Sequence, residues 1–276
     1  MARTDFFRLT PPPHQPFLRP FIKMHGLRNH FVFIDRRHGG PALTVDEIIR
    51  ICDVHEGVGA DQVITIDPPQ PGPGEAYAFM GIYDIDGSEA EACGNATRCL
   101  AHLLFEESGK TELVIDSLGG LLHCRKAGDM EVSVTLGPIT LVNAHLPLSS
   151  GPLKDGVALN IGNPHAVFFV SEDVDIPAHA PAIAKDEIFP NSVNVGVARV
   201  IDDRTLKLAV WERPGILTEA CGTGACVAAY AGKLRGYLKG DAFDVNLPGG
   251  RLHIRLLEDG RAIMTGPVAF CCAGYV

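Results

Sequence analysis

The 276-residue sequence has no surplus of positive charge. Lys and Arg number 24 against 33 Asp and Glu, a net charge of −9, so the basic footprint of a nucleic-acid or anionic-membrane binder is missing. Long apolar runs are missing too. The longest uncharged apolar stretch, Val157 to Val170, is broken by Gly162-Asn163-Pro164, which makes it too short and too irregular to span a bilayer. Met1 to Pro13 lacks the apolar centre of a signal peptide. A soluble cytoplasmic protein with neither nucleic-acid nor membrane partners is therefore expected. Of the eight cysteines, at 52, 93, 99, 124, 221, 226, 271 and 272, none is flanked by histidine at zinc spacing. Reduced thiols are expected in place of a disulfide framework or a metal site. Gly57-Val58-Gly59-Ala60-Asp61-Gln62 has neither the third glycine nor the preceding strand of a dinucleotide fingerprint, which excludes that class.

What the chain does contain is a repeated phrase. Glu91-Ala92-Cys93-Gly94-Asn95 returns 128 residues later (221 minus 93) as Glu219-Ala220-Cys221-Gly222-Thr223. Each copy opens a segment with helical apolar spacing: Ala96, Leu100, Leu103 and Leu104 closed by Gly109, then Ala225, Ala228, Ala231 and Leu234 closed by Gly236. Two buried helices, each with a thiol at its mouth, are predicted. A helix N-terminus favours a thiolate over the free thiol and holds a carboxylate well. Two such mouths facing each other would set a thiolate on one side of an amino acid's α-carbon and a thiol on the other. That arrangement removes a proton from one face and returns one to the opposite face. The competing account, two helix starts with incidental core cysteines, fits either copy alone better than it fits the repetition.

The remaining pattern is strand-rich, with 30 Gly and 20 Pro. Residues 1–16 read as an extended arm. Strands are expected at Phe17–Met24, Phe31–Ile34, Val63–Ile66, Ala76–Tyr83, Leu113–Asp116, Leu121–Cys124 and Val132–Leu136. A short helix capped by Thr44 and Glu47 should bury Ile48, Ile49 and Cys52. Pro68–Gly74 reads as a loop.

The second half repeats the plan, with strands at Val157–Ile161, Ala166–Val170, Val193–Val195, Leu206–Val210, Phe243–Leu247 and Leu252–Leu256. A helical turn is expected at Asp186–Phe189, a loop before Cys221, and a last strand within Val268–Val276. Asn29 lies 64 residues before Cys93 and Asn163 lies 58 before Cys221, so the halves agree in register to within an insertion. The expected fold class is α+β, two pseudo-symmetric halves of strands wrapped on a central apolar helix. Residues 1–138 with 268–276 form one half and 139–267 the other, and the two thiol-bearing mouths meet in the cleft between them.

The motifs resemble the diaminopimelate epimerase family. They are Gly26-Leu27-Arg28-Asn29, Gly57 to Gln62, Asp86-Gly87-Ser88-Glu89, Ala92 to Cys99, Gly162 to Val167, Val193-Asn194-Val195, Glu212-Arg213, Ala220 to Ala225, Leu247 to Gly250 and Met264 to Pro267. They run in family order over nearly the whole chain. The resemblance implies a cofactor-free epimerase in which Cys93 and Cys221 are the acid/base pair and the amides around Gly94, Asn95, Gly222 and Thr223 stabilise the developing charge. It further implies that His165 tunes the thiols, that Glu212 and Arg213 recognise the substrate's charged groups, and that Asn29, Gln62, Asn163 and Asn194 hydrogen-bond its polar heads. A homodimer is the assembly it implies. A turn asparagine or an ordinary strand-end ion pair would look the same in sequence at Asn29 or at Glu212-Arg213.

The chain departs from the family pattern at several positions. Asp84 stands where Asn is usual, Leu217 where Glu is usual, Ile216 in place of a Gly, Arg28 and His30 around Asn29, and Cys272 at an aromatic dimer position. The expected reaction is L,L- to meso-diaminopimelate, in lysine and cell-wall precursor synthesis. Three alternatives stay open: a racemase of another amino acid, with Asp84 accepting a cationic side chain; a non-catalytic amino-acid binder; and a single-cysteine nucleophile enzyme with His165 as base.

Overall fold

Short β-branched and aromatic runs between glycine-rich turns build most of the molecule. The computed structural model describes residues 3–11, 13–15, 18–71, 75–213 and 215–276. The chain divides into two compact units, Met1–Val134 with Gly266–Val276, and Thr135–Thr265.

The first unit holds β1 (Pro20–Gly26), β2 (Asn29–Asp35), β3 (Gln62–Asp67), β4 (Ala78–Asp84), β5 (Glu112–Asp116), β6 (Leu122–Gly128), most of β7 (Glu131–Leu136) and the last strand, β17 (Ala269–Tyr275). Neighbouring strands run β17, β1, β2, β3, β4, β5, β6. The pairings are antiparallel, antiparallel, parallel, antiparallel, parallel and antiparallel in turn. Helix α1 (Val45–Cys52) lies on the β1–β3 side of the sheet, and α2 (Gly94–Ser108) is buried along its first three turns.

The second unit repeats this order. It holds β8 (Thr140–Ser150), β9 (Leu153–Asn160), β10 (Pro164–Phe169), β11 (Asn194–Asp202), β12 (Thr205–Glu212), β13 (Ile216–Thr218), β14 (Ala242–Leu247), β15 (Gly250–Leu256) and most of β16 (Ala262–Pro267). Strands β8, β9, β10, β11, β12, β14 and β15 alternate in the same senses as β17 to β6. Helix α4 (Gly222–Leu234) is the counterpart of α2, and α3 (Ile176–Ala184) covers a separate cluster around Phe168, Val195 and Leu146.

The sequence pattern is revised at several elements. The arm over residues 1–16 lies partly outside the described residues, and its described part contains a 3-10 helix, Arg3–Arg8. Arg3 pairs with Glu106, Arg8 with Glu107, and Phe6 packs on Tyr275. Phe17 and residues 72–74 of the expected strand and loop fall outside the described residues. In α1 the buried residues are Ile48, Ile51 and Cys52, whereas Ile49 is 42% exposed. A 3.6-residue period carries residues 48, 51 and 52 to one face and turns 49 away from it. Asp186–Phe189 is a single turn closed by Phe189 N–H to Asp186 O. The helix of that region is α3, whose Pro177 and Pro181 hid it. Asp175 caps it, accepting from Ala178 N–H, which pins a segment of poor intrinsic propensity. The expected loop before Cys221 contains β13, paired to β12.

Candidate active site

Both cysteines of the repeat are N-caps. Cys93 (φ −145°, ψ 104°) precedes α2 and Cys221 (φ −124°, ψ 107°) precedes α4, and neither makes a side-chain cap hydrogen bond. Each cysteine therefore stands at the start of its helix, as the repeated Cys-Gly phrase predicts.

In the first unit, β1 turns into β2 through Leu27 (φ 54°) and Arg28 (φ 65°). Two consecutive left-handed residues make the tight turn whose twist suits a two-residue hairpin, and without glycine this costs about 1–2 kcal/mol per residue. The turn delivers Asn29 at the start of β2. Asp61 accepts from Asn29 Nδ2 (2.8 Å) and from His30 N–H (2.6 Å). With its amide nitrogen so engaged, Asn29 turns Oδ1 towards α2, where Asn95 Nδ2 donates to it at 3.2 Å and the Cys93 thiol lies at 3.9 Å. Gln62, first residue of β3, donates from Nε2 to Asp84 Oδ1 at 2.7 Å across the β3–β4 pair. The structure thus brings Asn29, Gln62, Asp84, Cys93, Gly94 and Asn95 to one end of the sheet. Burial, with Asp61 and Asp84 adding to it, pushes the nearby Cys52 thiol up to about 11.

In the second unit His165 of β10 pairs in register with Asn194 of β11. His165 is 1% exposed, and its Nε2 lies 3.0 Å from Asn163 Oδ1, 3.1 Å from Thr223 Oγ1 and 3.4 Å from Asn194 Nδ2. Burial first, and then the charge of Arg213, lower its pKa to about 3, so the ring is neutral. Asn194 is oriented by Arg213, whose N–H donates to Asn194 Oδ1 at 3.0 Å. Thr223 Oγ1 in turn stands 3.6 Å from the Cys221 sulfur. Thr218 of β13 donates to Glu212 Oε1 at 2.6 Å. The helix mouth alone would favour a thiolate at Cys221, and two other influences oppose it here. Burial and then the Glu212 carboxylate raise this thiol well above the ordinary range, against smaller lowering from Thr223 and the Gly224 N–H. Gly224 leaves the sulfur its room, since a Cβ there would lie 3.1 Å from it.

Sequence reasoning did not single out Asp61, Thr218 or Gly224. Asp61 was visible only as part of the Gly57–Gln62 motif, and Thr218 only through a strand pairing that the sequence did not reveal. No cluster of three or more His, Cys, Asp or Glu suited to a metal occurs among the described residues.

A family model described as diaminopimelate epimerase matches residues 21–142 and 157–271. The chain belongs to the diaminopimelate epimerase family. A diaminopimelate epimerase of Rhodospirillum centenum is 42% identical over 270 residues, covering 93% of this chain and 92% of that protein. One from Phenylobacterium zucineum is 40% identical over 270 residues, covering 91% and 95%. Among solved structures, a predicted epimerase from Pseudomonas aeruginosa superposes with a TM-score of 0.71 at 15% identity, covering 94% of this chain and 99% of that one. A hydroxyproline epimerase from Agrobacterium vitis gives 0.69 at 16%, covering 94% and 92%. At those identities the two structures speak for the fold alone, and it is the α+β fold read from the repeat. The family is one of isomerases that work without pyridoxal phosphate. Set against the diaminopimelate epimerase pattern, Asp84 bonds Gln62, Leu217 is a 43% exposed residue opposite Trp211, and Cys272 is exposed on β17.

Proposed function

We propose that the chain epimerises L,L-diaminopimelate to the meso form, with Cys93 and Cys221 as the two acid/base groups. The observation that carries this is the pair of N-cap cysteines, one at the mouth of each buried helix, in a chain of this family. The names of the relatives favour diaminopimelate over another amino acid.

One sulfur, as thiolate, takes the α-proton. The charge left on carbon spreads into the carboxylate, where the N–H groups around Gly94-Asn95 or Gly222-Thr223 receive it. The other sulfur, as thiol, donates a proton to the opposite face, and the two cysteines end with their protonation states exchanged. No redox step or covalent intermediate is needed to balance the reaction. Cys221, whose proton is held by burial and by Glu212, starts as the donor, and Cys93 starts as the base. Asn163 and Asn194 hydrogen-bond the substrate's polar heads, Arg213 grips a carboxylate, and Glu212 takes an ammonium.

The place of action is the cytoplasm, in lysine and cell-wall precursor synthesis, and the assembly is a homodimer. Among the described residues no helix is long and apolar enough to cross a membrane, which supports the first of these. The second rests on membership of the family, from whose dimer position the chain departs at Cys272.

The test is proton exchange at the α-carbon of L,L-diaminopimelate in D2O, followed by NMR, with Cys93→Ser and Cys221→Ser alongside. Deuterium incorporation with formation of the meso isomer, abolished in both variants, is expected. Full turnover in either variant would exclude the two-base mechanism.

A further inference from the structure

The two helix mouths differ at one buried position. Five residues after each cysteine stand Arg98 in α2 (98 minus 93) and Cys226 in α4 (226 minus 221). Both are 0% exposed, and among the described residues no other arginine and no lysine is buried. The proton chemistry proposed above gives Arg98 no task, yet a guanidinium keeps its charge even in the interior.

Arg98 reaches back along its helix, as long side chains on helices do. Its Nη2 lies 3.0 Å from the point a Cβ on Gly26 would occupy, and that point is 3.3 Å from Asn95 O and 3.5 Å from Asn95 Cβ. The guanidinium is thus packed against the first turn of α2, in room that Gly26 leaves by having no side chain. Gly26 pairs with Asn29 across β1 and β2. Asn29 Oδ1 is the atom that Asn95 Nδ2 and the Cys93 thiol approach at 3.2 Å and 3.9 Å.

A charge at such depth acts with little screening by water or salt. The other charged groups around this mouth do not favour a thiolate as it does. Asp61 beside Asn29 and Asp84 beside Gln62 are negative and oppose one. His25 and His30, on the hairpin, are pushed towards the neutral form, first by burial. Lys23 and Arg28 lie nearer the solvent. Cys99 is held as a thiol by burial, with Arg98 pulling the other way and with Cys93 and then Cys271 adding to the rise. At the second mouth the matching position holds a thiol in place of a cation, and Glu212 opposes ionisation of Cys221. Both mouths share the helix-start effect, so that effect cannot tell them apart.

We infer that Arg98 keeps Cys93 ionised as the resting base, so that a single buried cation, present in α2 and missing from α4, sets which cysteine takes the first proton. The inference rests on the two-base reading proposed above. Arg98 acts through the sulfur and is a positioning residue.

Iodoacetamide labelling of Cys93 in the full-length protein, followed by mass spectrometry from pH 5 to 10, tests this in the wild type, Arg98→Lys and Arg98→Met. The wild-type rate should be half-maximal below the ordinary thiol value of about 8.5. Arg98→Met removes the charge and keeps an unbranched stem, and should raise the midpoint by about one pH unit, the lower end of what a nearby opposite charge contributes. Arg98→Lys should restore most of the difference, whereas a purely structural role would move both variants alike. A wild-type midpoint at or above about 8.5, no rise in Arg98→Met, or equal rises in both variants overturns the inference. Should neither variant fold, as judged by circular dichroism, Glu212→Gln decides. With that carboxylate gone, a Cys93 midpoint still below that of Cys221 supports the inference, and one equal or higher overturns it. Deuterium exchange on L,L-diaminopimelate is measured separately. Its absence in the wild type with the labelling pattern intact would overturn the epimerase reading and leave the Cys93 thiolate assigned to Arg98.

Discussion

The hydroxyl of Thr223 and the sulfur of Cys221 stand 3.6 Å apart, two residues along one helix mouth. This contact lowers the Cys221 pKa against the larger effect of burial. Removing it with Thr223→Val should raise that pKa further and slow every step that needs the Cys221 thiolate. A hydrogen bond to a charged group is worth about 1.5–3 kcal/mol, so the reverse reaction should slow by roughly 10- to 100-fold. Initial rates from the meso isomer would show it, and unchanged rates would remove Thr223 from the site.

Glu212 acts in the opposite direction, since its carboxylate raises the Cys221 pKa. In Glu212→Gln the thiol should ionise at lower pH. Iodoacetamide labelling of Cys221, followed by mass spectrometry across pH 7 to 10, should then reach half-maximal rate at a lower pH than in the wild type. Substrate affinity should fall in the same variant if Glu212 takes an ammonium. A labelling midpoint that stays put or moves up would contradict the electrostatic account.

His165 links folding to pH. Its pKa is lowered from 6.5 to about 3 in the folded chain, so between those values the unfolded chain takes up a proton that the folded one refuses. Stability is therefore complete above pH 6.5 and declines as pH falls towards 3, with a limiting slope of about 1.4 kcal/mol per pH unit from this group. Urea denaturation of the wild type and of His165→Gln at pH 7, 6, 5 and 4 should show a shallower decline in the variant. Parallel declines would mean that other groups carry the acid sensitivity.

The parts of this architecture that repeat were legible because a helix with a thiol at its mouth leaves a compact signature, Cys-Gly followed by apolar residues at helical spacing. The chemical pairings were less legible. Asn29 and Gln62 could be named as polar residues in motifs, but the way each faces depends on Asp61 and Asp84 reaching them across strand pairs, and no local pattern encodes that. The Cys221 thiol shows the limit most plainly: the helix start predicts a lowered pKa, and burial together with a glutamate from β12 reverses the sign. Helix α3 went unread because Pro177 and Pro181 are breakers in isolation and become tolerable only once Asp175 caps the first turn and Ile176, Ala180 and Ile183 are buried.

The loop that delivers Asp61 and Gln62 is sewn to the end of α1, and Gly57 is where the two backbones meet. Val58 and Gly59 N–H both donate to Ile51 O, and Ala60 N–H donates to Cys52 O. A Cβ on Gly57 would stand 1.8 Å from Arg50 O and 2.9 Å from Ile51 O. Those are backbone atoms, so no side chain can swing aside and the loop itself must move. Gly57→Ala should destabilise the fold by ~2–4 kcal/mol, the range of severe backbone and packing defects. Gly39→Ala is the control: its φ of +96° carries a conformational penalty, but nothing lies within 4 Å of the added carbon, so a loss of only ~1–2 kcal/mol is expected. Thermal melts of both variants would rank them. A Gly57→Ala protein as stable as the Gly39→Ala control would mean that the loop is not held against α1, and with it would go the placement of Asp61 beside Asn29 and of Gln62 beside Asp84.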